Sequence, residues 1–223
     1  MDATTFARKW ECCTASLAAW TASPETFSFE TAAGAAQTTV EELESLFTSP
    51  EQIPLFFYEA ALELYKEQRD LTEGFASFTL AEKLTHFACT LFDIFSSQQE
   101  FVHASLYPLV LEGEGKEAFF GTSATLFQRF VEGDERVSSL SKMWTPTFIY
   151  EFWAHEFGHV LRFWRKDASE NKEKTLALVD KLTSFVQELF YNTAADRGLD
   201  LVKFAWQERI VRLPFGLDDF LRK

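Results

Sequence analysis

The sequence predicts an all-α protein, and three observations carry that prediction. Only 9 glycines and 6 prolines interrupt 223 residues, whereas 25 phenylalanines supply large apolar side chains. No stretch alternates apolar and polar residues with the period of two that a half-buried strand requires. Helix start signals recur instead: Thr39 with Glu42, Ser49 with Gln52 and Thr79 with Glu82 have capping-box spacing.

These signals place helices over 4–20, 29–36, 39–47, 50–69, 79–97, 99–112, 117–131, 146–166, 170–191 and 198–211. The second and third helices flank a tight turn. Ser49-Pro50 and Thr145-Pro146 have the cap-then-proline order of a first turn and open the fourth and eighth helices. Pro54 removes a backbone donor, so the fourth helix bends there or begins there. An amphipathic tail follows Pro214.

Composition sets further bounds. With 47% hydrophobic and 25% charged residues, the chain has the make-up of a soluble globular protein. "MDATTFARKWECC" lacks the apolar core of a secretory signal, and no run reaches the roughly 18 apolar residues of a membrane span. Cys12, Cys13 and Cys89 form no disulfide framework, which fits a reducing cytoplasm. The net charge of −13 disfavours a polyanionic partner.

The segment "FSFETAAGAAQTTVEELESLFTSPEQI", residues 27–53, has a short helix, a turn, a second short helix ending at Phe47, and a long helix starting near Ser49. Phe27 and Glu30 form its entry and acidic cap, Ala33 and Ala36 its small packing positions, and Leu43 and Phe47 its apolar anchors. Ser49-Pro50-Glu51 starts the long helix. This pattern resembles the helix-turn-helix of the TetR family of bacterial transcriptional regulators. The paired long helices 146–166 and 170–191 are similar to the pair that forms that family's dimer interface.

The resemblance implies a three-helix DNA-reading unit over 1–48. It also implies a larger helical domain for ligand binding and dimerisation over 49–223. Its reading positions would be Gln37, Thr38, Thr39, Glu41, Glu42 and Glu44. Gln37 replaces the usual turn glycine, from which a wider turn is expected. Glu44 replaces an aromatic residue, and Pro50 a phosphate-contacting lysine. From Trp10 to Tyr65 the chain has nine glutamates and no Lys, Arg or His. Non-specific DNA affinity comes from cations that displace condensed counterions, and base contacts supplement that anchoring. The segment therefore reads as a degenerate, acidic helix-turn-helix, either a solvated surface or a dock for a basic protein.

His155-Glu156-Phe157-Gly158-His159 spells H-E-x-x-H, the zinc-peptidase string in which two histidines one helical turn apart share a metal. The extended form needs a glycine at 162 and a histidine at 165, where Arg162 and Arg165 stand. Phe148, Phe152, His155, His159 and Phe163 form one helical stripe, and Gly158 relieves crowding beside a neighbouring helix. Phe152, His155, His159 and Phe163 are therefore the dimer-interface candidates. No catalytic residue, metal site or cofactor is assigned.

Aromatic residues crowd the stretch 75–130. In the resemblance the corresponding helices enclose an apolar effector pocket. Its candidates here are His86, Phe87, Phe92, His103, Tyr107, Phe120 and Phe127. The tail interleaves Lys203, Arg209 and Arg212 with Phe204, Trp206 and Ile210, a pattern suited to docking on the acidic body or to peripheral membrane contact. The expected function is a cytoplasmic, non-enzymatic homodimer that binds a hydrophobic small molecule, a lipid or a protein instead of DNA. The alternatives are a ligand-responsive repressor that binds DNA and a zinc-dependent hydrolase using His155, Glu156 and His159.

Overall fold

A computed structural model of the chain describes residues 2–138, 141–142 and 145–191. The expected helix 198–211 and the basic-aromatic tail lie outside the described residues. Within them the architecture is helical throughout, with no strand. No described helix is long and apolar enough to cross a membrane.

α1 (Ala3–Ala22) starts where Asp2 Oδ1 accepts from the Thr5 amide at 3.0 Å. Its buried residues Cys12, Cys13, Ser16, Leu17 and Trp20 recur at helical spacing, so one face enters the core. α2 (Phe29–Ala36) is closed at its start by a reciprocal Ser28–Thr31 capping box. α3 (Val40–Leu46) begins where the Thr39 hydroxyl accepts from the Glu42 amide at 3.2 Å.

The turn between α2 and α3 is tight, contrary to the expected widening. Gln37 adopts φ 52° and ψ 43°, the left-handed conformation that glycine would take, and the Thr38 amide donates to the Ala33 carbonyl at 3.0 Å. A side chain costs backbone energy there, but the turn geometry is retained.

α4 (Gln52–Leu71) begins two residues before Pro54. Pro54 lies in the first turn, where the missing N–H has no intrahelical acceptor to serve. α5 (Leu80–Ser96) carries the full Thr79–Glu82 box: Glu82 Oε2 accepts from the Thr79 amide at 2.7 Å, and the Thr79 hydroxyl accepts from the Glu82 amide at 3.2 Å. α6 (Gln99–Ser105) continues into a π-helical turn over Leu106–Leu111. A Cβ on Gly113 would stand 1.9 Å from the Pro108 carbonyl oxygen, so only glycine lets the chain leave that turn and enter α7 (Lys116–Glu132).

α8 (Thr147–Lys166) and α9 (Glu173–Tyr191) are joined through Asp167. Asp167 Oδ1 accepts from the Ser169 amide at 2.9 Å, and its Oδ2 from the Thr175 amide and hydroxyl at 2.9 and 2.7 Å. These bonds hold the Asp167 carboxyl far below the usual carboxylate range. α8 packs on α7 where Gly158 meets the Phe120 ring: a Cβ on Gly158 would come within 2.9 Å of Phe120 Cζ.

The far end of α9 is held by polar contacts. The Tyr191 hydroxyl accepts from the Leu80 amide at 2.9 Å and donates to Asp134 Oδ2 at 2.5 Å. Gln187 accepts from the Ala81 amide at 3.2 Å. Asp134, almost wholly buried, also accepts from Arg136 Nε at 2.8 Å and lies 3.9 Å from Lys83 Nζ. One apolar core runs from Cys12 on α1 to Phe190 on α9 and spans the proposed boundary at residue 48.

The left-handed Gln37 makes a stability prediction. Gln37→Gly should stabilise the protein by about 0.5–1 kcal/mol, because the strain removed exceeds the entropy glycine loses on folding. Urea denaturation measures it, and a destabilised variant would refute the assignment.

Candidate functional site

An apolar groove with a volume of about 290 Å³ lies among α5, α7, α8 and α9. Its floor is buried: Leu84, Phe87 and Ala88 from α5 and Phe127 from α7. Trp153, Phe157 and Val160 from α8 and Val179 and Val186 from α9 form its walls. Its rim is open, with Phe152 54% exposed, Phe185 60% and Leu182 40%. The polar lining consists of Thr183 and Glu156. The Thr183 hydroxyl is engaged with Thr85 Oγ1 at 3.1 Å and the Asp180 carbonyl at 3.3 Å.

Two of the seven pocket candidates, Phe87 and Phe127, line this groove. The Phe92 ring stacks on Trp164 with centroids 5.5 Å apart and planes 4° from parallel, filling core space. Phe120 packs between Phe119 and His155. His86 lies among Tyr65, Phe75 and Phe78, with Nε2 3.2 Å from the Thr72 hydroxyl, and burial pushes its pKa down. His103 and Tyr107 are exposed, and the Tyr107 hydroxyl donates to Glu112. Sequence reasoning missed the whole α9 wall. The spacing Leu178, Leu182, Phe185, Leu189 held the signal, since three of these four are exposed apolar residues on one helical strip.

Phe152, His155, His159 and Phe163 lie on the exposed side of α8, as does Phe148 at 62% exposure. Leu176, Leu182, Phe185 and Leu189 of α9 add a second exposed apolar strip. Glu156 Oε1 stands 4.0 Å from His159 Nε2. Among the described residues no group of three His, Cys, Asp or Glu side chains is placed to hold a metal, so the H-E-x-x-H string has no third ligand there.

On the helix-turn-helix, Glu41 and Glu44 of α3 and Glu30 of α2 are exposed. Glu42 turns back towards α1. Arg8 Nε donates to its Oε1 at 2.7 Å and Arg8 Nη2 to its Oε2 at 3.0 Å, while the Thr38 hydroxyl donates to the same carboxylate. Arg8 Nη1 also donates to Glu11 at 2.7 Å. Lys9 Nζ sits over the rings of Phe47 and Phe56, 4.6 and 4.7 Å from their centroids. Both cations of α1 are thus engaged within the protein, and the chain has no other until Lys66.

Residues 83–205 match the family described as "Tetracyclin repressor-like, C-terminal domain". The chain belongs to this family. The match covers more than half of the sequence and includes the four helices around the groove. No curated protein matches the chain. Tetracyclin repressor-like domains are typically dimeric and ligand-binding, and the family is generally non-enzymatic. The open groove and the apolar strips on α8 and α9 are consistent with that description of this regulator-type domain.

The Arg8–Glu42 pair has a pH signature. Arg8 first, then Thr38, holds the Glu42 carboxyl at about 2, against an ordinary value of 4.5. A depressed folded-state pKa stabilises above the unfolded value, and that contribution disappears as pH falls from about 4.5 towards 2. Glu42→Gln should therefore be less stable than the native chain near neutrality, with the gap closing over this window. Urea midpoints measured across pH check it; a gap independent of pH would show the pair is not formed.

Proposed function

We propose that this tetracyclin repressor-like protein is a homodimer that binds an apolar small molecule in the α5–α7–α8–α9 groove and has lost duplex-DNA binding. The engagement of Arg8 and Lys9 carries the second part. A reading helix that presents Glu41 and Glu44, with its nearest cations held by Glu42, Glu11 and two aromatic rings, offers a polyanion repulsion without an anchor. The division at residue 48 is kept on topology: α1–α3 form the degenerate reading unit and the remainder the effector domain.

The groove supports the first part. Its volume is near the lower end of the small-molecule range, and its lining is apolar apart from two residues. The exposed apolar residues of α8 and α9, of which Phe152, Leu182 and Phe185 meet at the groove, support an association face. Phe152, Leu182 and Phe185 belong both to that face and to the groove rim, so a second copy docked there would cover the mouth. A cytoplasmic location accords with the free cysteines.

Two measurements test this reading. Fluorescence polarisation with a mixed-sequence duplex at about 50 mM salt should show no saturable binding at micromolar protein; tight, salt-sensitive binding would restore the repressor reading. Native mass spectrometry should show a dimer that takes up decanol at one molecule per chain. The Phe152→Glu/Phe185→Glu variant should be monomeric with unchanged helical content. A monomeric native protein, or an adduct-free one, would overturn the corresponding half of the proposal.

A further inference from the structure

The groove has one charged group, and its placement assigns a ligand class. Glu156 is on α8 one turn after Phe152 and three residues after Trp153, so its carboxylate shares the groove side of the helix with two aromatic rings. Phe185 completes the aromatic rim from α9. No Lys, Arg or His lines the cavity. Among the described residues the sole approach to the Glu156 carboxylate is His159 Nε2 at 4.0 Å, beyond hydrogen-bond reach. The other polar lining group, Thr183, already has its hydroxyl bonds.

We infer that the groove is built for a hydrophobic cation: an apolar body seated on Phe87, Phe127 and Val160, and an ammonium-type head between Glu156 and the rim aromatics. The inference rests on the groove being a ligand site, as proposed above, and adds the sign of the ligand's charge. Three effects act in the same direction. The carboxylate attracts the cation directly, and half of its side chain is exposed, leaving it open to a ligand. Phe152, Trp153 and Phe185 bring aromatic rings to the lining, and such rings attract cations. The net charge of −13 raises the local concentration of cations and repels carboxylate-headed lipids. A neutral lipid would use the floor equally well but gain nothing from Glu156.

Isothermal titration calorimetry on the full chain tests this with three probes of equal chain length, each below its micelle concentration: decyltrimethylammonium, decanol and decanoate. The ammonium probe should bind about fivefold or more tighter than decanol, and decanoate more weakly than decanol. In Glu156→Gln, a half-exposed position that should not disturb folding, the ammonium-to-decanol ratio should fall severalfold with decanol affinity unchanged. Equal binding of all three probes to the native chain, or a cation preference undiminished in Glu156→Gln, overturns this inference and leaves the groove reading intact. Failure of every probe to bind overturns both.

Discussion

Phe57 and Tyr58 on α4 form the node at which α1, α5, α6 and α7 meet. Trp10 of α1 stacks on Phe57 at 5.5 Å, and Phe101 of α6 meets it edge-on at 5.3 Å. Phe95 of α5 and Phe119 of α7 reach Tyr58 at 5.5 and 6.5 Å. The Tyr58 hydroxyl, pushed high by burial, shares a 2.7 Å hydrogen bond with Ser105, whose own hydroxyl donates to the Phe101 carbonyl. A ring that presents both faces and edges can serve several helices at once, and each such pair adds geometry-dependent stabilisation beyond area burial. This explains how a chain with so many phenylalanines can pack uniquely rather than as an interchangeable apolar mass. Through Phe95 and Phe92 the lattice extends to Trp164, which seats α8.

The acidic surface follows from a second constraint. A three-helix unit with six glutamates and two cations must place those cations where they limit self-repulsion. Arg8 joins α1 to α3 through Glu42, and Lys9 covers the Phe47–Phe56 edge pair between the end of α3 and α4. The same residues would be the natural phosphate anchors of a working reader. In this chain they brace the helices they stand on. The left-handed Gln37 fits this account: the turn that orients α3 persists although the residue best suited to it is absent.

Much of this was legible because helix ends are local. Thr79–Glu82 forms the complete box its spacing implies, and Pro54 stands where a first turn tolerates it. The Thr39 cap forms as well, but Glu42 does not return to it, since a guanidinium on another helix outcompetes a backbone amide for the carboxylate. Gln52 likewise accepts from the Thr48 amide rather than capping with Ser49. The groove was only half legible. Phe87 and Phe127 were identified from aromatic density, yet density cannot separate a ring that lines a void from one that fills it, as Phe92 and Phe120 do. That distinction depends on what the facing helix leaves empty.

What leaves the space empty is the manner in which α9 is attached. Asp167 fixes one end through Ser169 and Thr175, and Tyr191 and Gln187 fix the other through the first turn of α5. Between these anchors Thr183 meets Thr85 as a pair of hydroxyls. Directional polar bonds set the separation of α9 from α5 and α8, whereas apolar contacts alone would draw the helices together until the gap closed. The apolar residues between the anchors divide accordingly: Val179 and Phe190 are buried, while Leu182 and Phe185 stand at the open rim. A groove spanned in this way needs no bound molecule to hold it apart, and a ligand entering it does not have to displace packed side chains. The buried Asp134, which accepts from both Tyr191 and Arg136, belongs to that frame, and it sits at the opposite end of α9 from the Asp167 anchor. Polar groups at the ends of a helix thereby determine the apolar space along its middle.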